Sequence, residues 1–214
     1  MSGHSTLALP RGGIQYRLAV TAWRIQQAGR REVTVNNGPE GGGGRLRSVV
    51  SYLEMRAPPV EGPPAPPRPG LALVRLERPS VPFYRFLYDT IGEPWLWIDR
   101  RRIDDAGLEA IIRHPRVEVH VLYGGGEPLG YAELDFRVPG EVEIVYCGLM
   151  PHAIGGGLGR YLLGQALDRA WAAGPERVWL HTCTQDHPGA LGFYRRAGFV
   201  KTHEVEEWVE IAPV

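Results

Sequence analysis

Gly155, Gly156, Gly157 and Gly159 stand between two different apolar patterns. Upstream, Val142 to Leu149 is apolar enough for a buried strand; downstream, from Leu158, apolar residues recur at helical spacing. A strand that turns through glycines into a helix is suited to holding an anion. Glycine lets the backbone come close to a ligand and adopt positive φ. The first turn of the helix adds unpaired N–H groups at the positive end of its dipole. Phosphate is the ligand class this chemistry suits, although such a turn also serves as a plain tight connection, and two well-known phosphate loops do not fit. No acidic residue closes a second strand about 20 positions on, as a dinucleotide-binding G-x-G-x-x-G unit requires. The nucleoside-triphosphate loop needs Gly-Lys-Ser/Thr, whereas Arg160-Tyr161 follows Gly159.

A second stretch, His187-Pro-Gly-Ala190-Leu-Gly-Phe-Tyr194-Arg-Arg-Ala-Gly198-Phe199, follows in order. Together the two resemble the signatures of the GNAT N-acetyltransferase superfamily. The acetyl-CoA motif, roughly [RQ]-x-x-G-x-[GA], falls on Ile154 to Gly159, with Ile154 in place of its polar first residue. The second signature, N-x-x-A-x-x-x-Y-x-x-x-G-F, falls on His187 to Phe199, with His187 in place of Asn. The resemblance implies a GNAT fold of the α/β (α+β) class: a central mixed, mostly antiparallel sheet of about six to seven strands with helices on both faces. It implies acetyl-CoA as co-substrate and no metal. It places cofactor contacts at Leu149, Met150, Ile154, Gly155, Gly156, Gly157, Leu158, Gly159, Arg160, His187, Ala190 and Tyr194.

Acetyl transfer to an amine needs three things. A base, often working through water, removes the amine's proton; an acid or strong donor meets the leaving thiolate; a backbone N–H meets the developing oxyanion. Tyr194 matches the family's tyrosine beside the leaving sulfur, although its spacing also suits simple packing of the last helix. Glu143 resembles the basic glutamate of the histone-acetylating branch, and Glu133 and Asp135, on one face of the neighbouring strand, compete with it. Two readings of other classes stay open. A non-catalytic acyl-CoA-binding module would need the loop but not Glu143 and Tyr194. A phosphate- or nucleotide-binding protein would leave the second signature unexplained.

The elements that must position these residues follow from pattern. Leu71 to Leu76 reads as a strand, and Phe83, Phe86 and Leu87 are spaced for the inner face of a helix capped by Ser80. Trp95 and Trp97 follow, suited either to the core or to the acceptor side. Asp104 or Asp105 caps a second helix that His114-Pro115 stops. Val117 to Tyr123 and Leu129 to Val138 form a hairpin around Gly124–Pro128, and Pro139-Gly140 turns into the strand before the glycines. Leu158, Leu162, Leu163, Ala166, Leu167, Ala170 and Trp171 make one apolar helix face. Arg177 to Thr182 is a strand, and Val200 to Ile211 reads as a final hairpin or strand pair.

The chain has 214 residues, enough for one domain plus an extension. Residues 1–47 read as a disordered extension, or one from a misassigned start, with weak helical character at 17–27. Residues 48–70 read as a short strand and a proline-rich spacer, and 71–214 as the acetyltransferase domain. Lys plus Arg and Asp plus Glu both total 24, so charge gives no reason to expect a nucleic-acid or membrane partner. An amine acceptor of unread identity, acting on a monomer or homodimer, is the partner expected. No apolar run approaches 18 residues and no signal-peptide core opens the chain, so a cytoplasmic location is expected. Cys147 and Cys183 read as reduced buried thiols, and His181 with Cys183 falls short of a metal-ligand set.

Overall fold

The structure, a computed structural model, describes residues 44–211. In chain order they form β1 (Gly44–Met55), β2 (Leu71–Arg75), α1 (Val81–Gly92), α2 (Asp105–Ile112), β3 (Val117–Gly124), β4 (Glu127–Asp135), β5 (Glu141–Leu149), α3 (Leu158–Trp171), β6 (Arg177–Cys183), α4 (Ala190–Arg196) and β7 (Val200–Ile211). The helical character expected at 17–27 lies outside the described residues. So does the expected tail up to residue 43. Its last residues do not: β1 begins at Gly44 rather than Ser48. Val200–Ile211 is one continuous strand, not a hairpin.

One seven-stranded sheet runs in the order β2-β3-β4-β5-β6-β1-β7. Neighbours from β2 to β5 are antiparallel, as are β6 and β1, while β5 and β6 are parallel. This is the mixed, mostly antiparallel α/β sheet expected. Compactness divides the chain into a unit Val50–Glu204, which holds every residue of the site below, and a second unit. The described part of the latter includes the Arg47–Glu206 ion pair.

Side-chain alternation on β4 separates the two faces. Tyr131 and Glu133 meet Tyr84 of α1 on one face. On the other, Leu149 of β5 approaches α3, where a Cβ on Gly159 would lie 3.7 Å from its Cδ1. The inner face of α3 is the stripe read from the sequence, with Leu158, Leu162, Leu163, Ala166, Leu167 and Ala170 buried and Trp171 at its margin. The inner face of α1 differs from expectation. Val81, Tyr84, Leu87, Tyr88 and Ile91 are buried, while Phe86 is 49% exposed. The tyrosines turn inward because their hydroxyls find partners there: Tyr84 donates to Glu133, and Tyr88 accepts from the Arg100 amide at 3.2 Å. Asp104 caps α2, accepting from Gly107 N at 2.8 Å.

The proline-rich run Arg56–Gly70 is more than a spacer. It crosses the outer side of α3, with Pro64 seated on Gly164 and its carbonyl accepting from Gln165 Nε2 at 3.4 Å. Pro67 lies 3.4 Å from where a Gly157 Cβ would be, and Glu61 is 3.6 Å from Arg160.

Candidate active site

The site begins where two strands part. The β5–β6 ladder holds only Glu141↔Arg177, Val142↔Val178 and Glu143↔Trp179. Both strands continue, but with other partners: β5 with β4 as far as Leu149, and β6 with β1 as far as Cys183. Beyond Glu143 their facing edges are therefore not paired with each other. Met150 N donates to Leu129 O at 2.9 Å. Peptide groups alternate sides along a strand, so those of Leu149 and Cys147 face the gap. Leu149 is thus placed to offer its backbone there. The amide of Met150 is held by the strand before, and its side chain is 1% exposed.

The glycine turn opens at the end of β5. Gly155, Gly156 and Gly157 have φ of 103°, 57° and 79°, the left-handed region that a β-carbon resists. Around Gly155 and Gly156 a Cβ would meet nothing within 4 Å, so the turn stands open to a ligand. Gly157 caps α3, and Tyr161 N already donates to its carbonyl at 3.1 Å. The first-turn amides of Gly159 and Arg160 have no intrahelical acceptor. No acidic residue lies in that first turn to compete for them. Ile154, at the motif's polar position, is 57% exposed and Arg160 is also exposed, so both border the turn.

Tyr194 of α4 lies near Cys147 of β5 and Asp186. Its ring packs edge-on against Phe199 at 6.1 Å. Burial first, then the proximity of Cys147 and Asp186, holds its phenol well above the ordinary tyrosine range. A phenol that keeps its proton is suited to donating one. Cys147 is pushed up to about 12 by burial, which makes it a poor nucleophile. Ala190 opens α4, and His187 Nδ1 accepts from Gly189 N at 3.0 Å while its ring meets Trp95 edge-on at 5.3 Å.

Comparison with known proteins bears on this arrangement. The model of the acetyltransferase (GNAT) family matches residues 78–199. The chain belongs to the GNAT acetyltransferase family. Among curated proteins none matches. Solved structures share the fold. A GCN5-related N-acetyltransferase from Sphaerobacter thermophilus is 20% identical, with TM-score 0.54 over 80% of this chain and 54% of its own. A putative GNAT-family acetyltransferase from Novosphingobium aromaticivorans is 18% identical, with TM-score 0.54 over 86% and 72%. An aminoglycoside acetyltransferase from a soil metagenome, solved with trehalose, is 18% identical, with TM-score 0.50 over 60% and 88%. The chain thus spans about half the length of the Sphaerobacter protein.

In this GNAT domain the three candidate carboxylates occupy different settings. Glu133 is 1% exposed, bound by Tyr84 and by Arg100 Nη2 at 2.5 Å. Asp135 is held by Arg137 through contacts of 2.6–3.0 Å. Glu143 sits at the last shared rung of β5 and β6, 3.6 Å from His181 Nδ1. A bulge sets its orientation. Glu133 pairs with Tyr146 but Leu134 with Ile144, leaving Val145 as the extra residue. Ile144 and Tyr146 therefore point to opposite faces, and Glu143 shares the α1 face with Tyr146. No group of His, Cys, Asp and Glu suited to a metal occurs among the described residues.

Sequence reading missed Arg100 and Asp186. Nothing local marks which arginine of Arg100-Arg101-Arg102 reaches Glu133. Asp186 accepts from Thr182 Oγ1 at 2.6 Å, Cys183 N at 3.0 Å and Trp97 Nε1 at 3.2 Å. That last contact, 89 residues apart in sequence, has no local signal.

Proposed function

We propose that this GNAT domain transfers an acetyl group from acetyl-CoA to an amine by direct attack, with Tyr194 as general acid and Glu143 as general base. What supports this reading is the parting of β5 and β6 beside an open glycine turn, with Tyr194 near Cys147 of β5 and Asp186 just past the end of β6. The turn suits a pyrophosphate, since Gly155, Gly156 and Gly157 hold positive φ with open space around the first two and the amides of Gly159 and Arg160 have no intrahelical acceptor. Bound acetyl-CoA supplies an activated thioester carbonyl. The Leu149 or Cys147 N–H, facing the gap, is the oxyanion donor.

Glu133 and Asp135, on β4, are bound to arginines; Glu143 is favoured as base for its position, at the last shared rung of β5 and β6 where the gap opens. Four residues separate it from Cys147, roughly 10–13 Å along a strand. Base and acid thus lie too far apart for one direct relay, and Glu143 acts through water. Cys147, with its proton firmly held, argues against a cysteine-bound acyl group. Thermal melting with and without acetyl-CoA, followed by thiol release across an amine panel, tests the proposal. A raised melt with thiol release supports it. A raised melt with no release from any amine favours a binding module instead. A melt that responds to nucleotides and not to acetyl-CoA overturns the cofactor.

A further inference from the structure

On the α1 face of the strand gap, one side chain bridges the two parting strands. The Trp97 indole lies over Gly148 of β5, where a Cβ would be 3.2 Å from its ring, and its Nε1 donates to Asp186, beyond the end of β6, at 3.2 Å. Tyr146 continues the cover along β5, with its ring centroid 5.0 Å from that of Trp97 and that of Tyr88 standing edge-on at 5.1 Å.

This indole is fixed. A Cβ on Gly92 would fall 2.5–2.6 Å from Trp97, so the helix end accepts the ring only because residue 92 is glycine. Trp97 N donates to Gly92 O at 3.1 Å, and Leu96 is held at φ 54°, a costly conformation for a branched side chain. Asp186 is fixed in turn by Thr182 Oγ1 and Cys183 N. A residue that requires a glycine at position 92, a strained neighbour and an anchored carboxylate is a wall rather than a mobile side chain.

We infer that Trp97, pinned by Asp186 across the parted strands, sets acceptor size, and that the acceptor is a slender primary amine unbranched at the carbon bearing nitrogen. This rests on the acetyl-transfer reading above. The glycine turn and Tyr194 take the α3 and α4 side of the sheet, so the amine approaches from the α1 side. There the Tyr146–Trp97 wall bounds one side of the approach, and Glu143 and His181 bound the other. A straight chain passes edge-on between them; a substituent on the first carbon meets the indole.

The test compares n-butylamine with sec-butylamine, isomers of nearly equal basicity, within a panel of longer straight and branched amines. Wild type is expected to favour the straight isomer in kcat/KM by about tenfold or more, the scale of one misplaced methylene. Trp97→Ala should bring the ratio to within about threefold, with KM for acetyl-CoA unchanged. Trp97→Leu makes the same comparison if the alanine variant does not fold. Trp97→Phe, which keeps a ring but loses the N–H to Asp186, should relax the ratio by a smaller amount. Turnover with an unchanged ratio in the Ala and Leu variants, or a wild-type preference for branched amines, overturns the wall while leaving acetyl transfer standing. Absence of turnover with every amine, despite an acetyl-CoA-raised melt, overturns acetyl transfer and this inference with it.

Discussion

The two sides of the parted strands are built by opposite means. On the α3 side the site is made of backbone: three consecutive glycines at positive φ, a helix start and open space around Gly155 and Gly156. On the α1 side it is made of side chains: Tyr84, Tyr88, Tyr131, Tyr146 and Trp97 in ring contact, with Glu133 buried among them and Arg100 half-buried on it. A phosphate-bearing ligand is recognised by amides that any sequence supplies once its side chains are out of the way. An acceptor is recognised by particular side chains. The first side therefore tolerates change outside its glycines. The second depends on which residue stands at each position.

The backbone side breaks most completely. Gly157→Val puts a β-branched residue at φ 79° with Pro67 3.4 Å from its Cβ, so the turn must reshape. Losing two hydrogen bonds to a charged group, at about 1.5–3 kcal/mol each, lowers acetyl-CoA affinity by about 10²–10⁴-fold. Calorimetry on the folded variant checks this; unchanged affinity would show that the turn does not hold the cofactor.

The catalytic groups come next. Tyr194→Phe keeps the ring on Phe199 and removes only the hydroxyl, so kcat should fall by about 10²–10⁴-fold with KM for acetyl-CoA nearly unchanged. Glu143→Gln should lose the acidic limb of kcat/KM, because rate falls where a carboxylate base takes up its proton. An acceptor of lower pKa separates that limb from the amine's own ionisation, which would move with the acceptor. Both variants turning over at wild-type rate would leave positioning and the backbone donor as the whole of catalysis.

Legibility in the sequence follows the same division. The glycine turn, the α3 stripe and the Gly125-Gly126 hairpin are local, so periodicity and glycine placement revealed them. The inner face of α1 was misread because Phe83 and Phe86 are more apolar than tyrosine. The inward turn of Tyr84 depends on Glu133, 49 residues away. The orientation of Ile144 against Tyr146 depends on a bulge at Val145, and no residue type there signals one. The proline-rich run gave its extended character correctly. Its seat on α3 depends on Gly164, whose meaning appears only with Pro64 beside it.

Glu133 sharpens the contrast between the two acidic residues. Glu133→Gln should leave any pH limb in place and lower stability by about 3–5 kcal/mol, because it leaves Arg100 buried beside an uncharged partner. Burial alone disfavours the Arg100 charge, and Glu133 leads the groups, Tyr84 and Tyr146 among them, that together more than restore it. Urea denaturation reads the loss directly. A variant as stable as wild type but slow in turnover would move the base from Glu143 to Glu133.

The smallest effect tests whether the backbone side needs the proline-rich run at all. Gly164 lies mid-helix, where alanine is ordinarily favoured by about 0.5–1 kcal/mol. Here the new methyl meets the Pro64 ring. Overpacking of this kind costs about 1–3 kcal/mol, so Gly164→Ala should destabilise the domain by about 1 kcal/mol or more and lift the run from α3. Pro64→Gly removes the obstructing ring. In the double variant alanine's helix preference should reappear, giving a coupling between the two sites that additive changes do not produce. Pro67 sits against Gly157 on the same run, so displacing the run should also weaken acetyl-CoA binding by a few-fold. Stability falling in the single variant and recovering in the double, with affinity unmoved throughout, would make the run a brace for α3 alone. Affinity that follows stability would make it part of the wall around the cofactor, added to a turn that otherwise contributes only backbone.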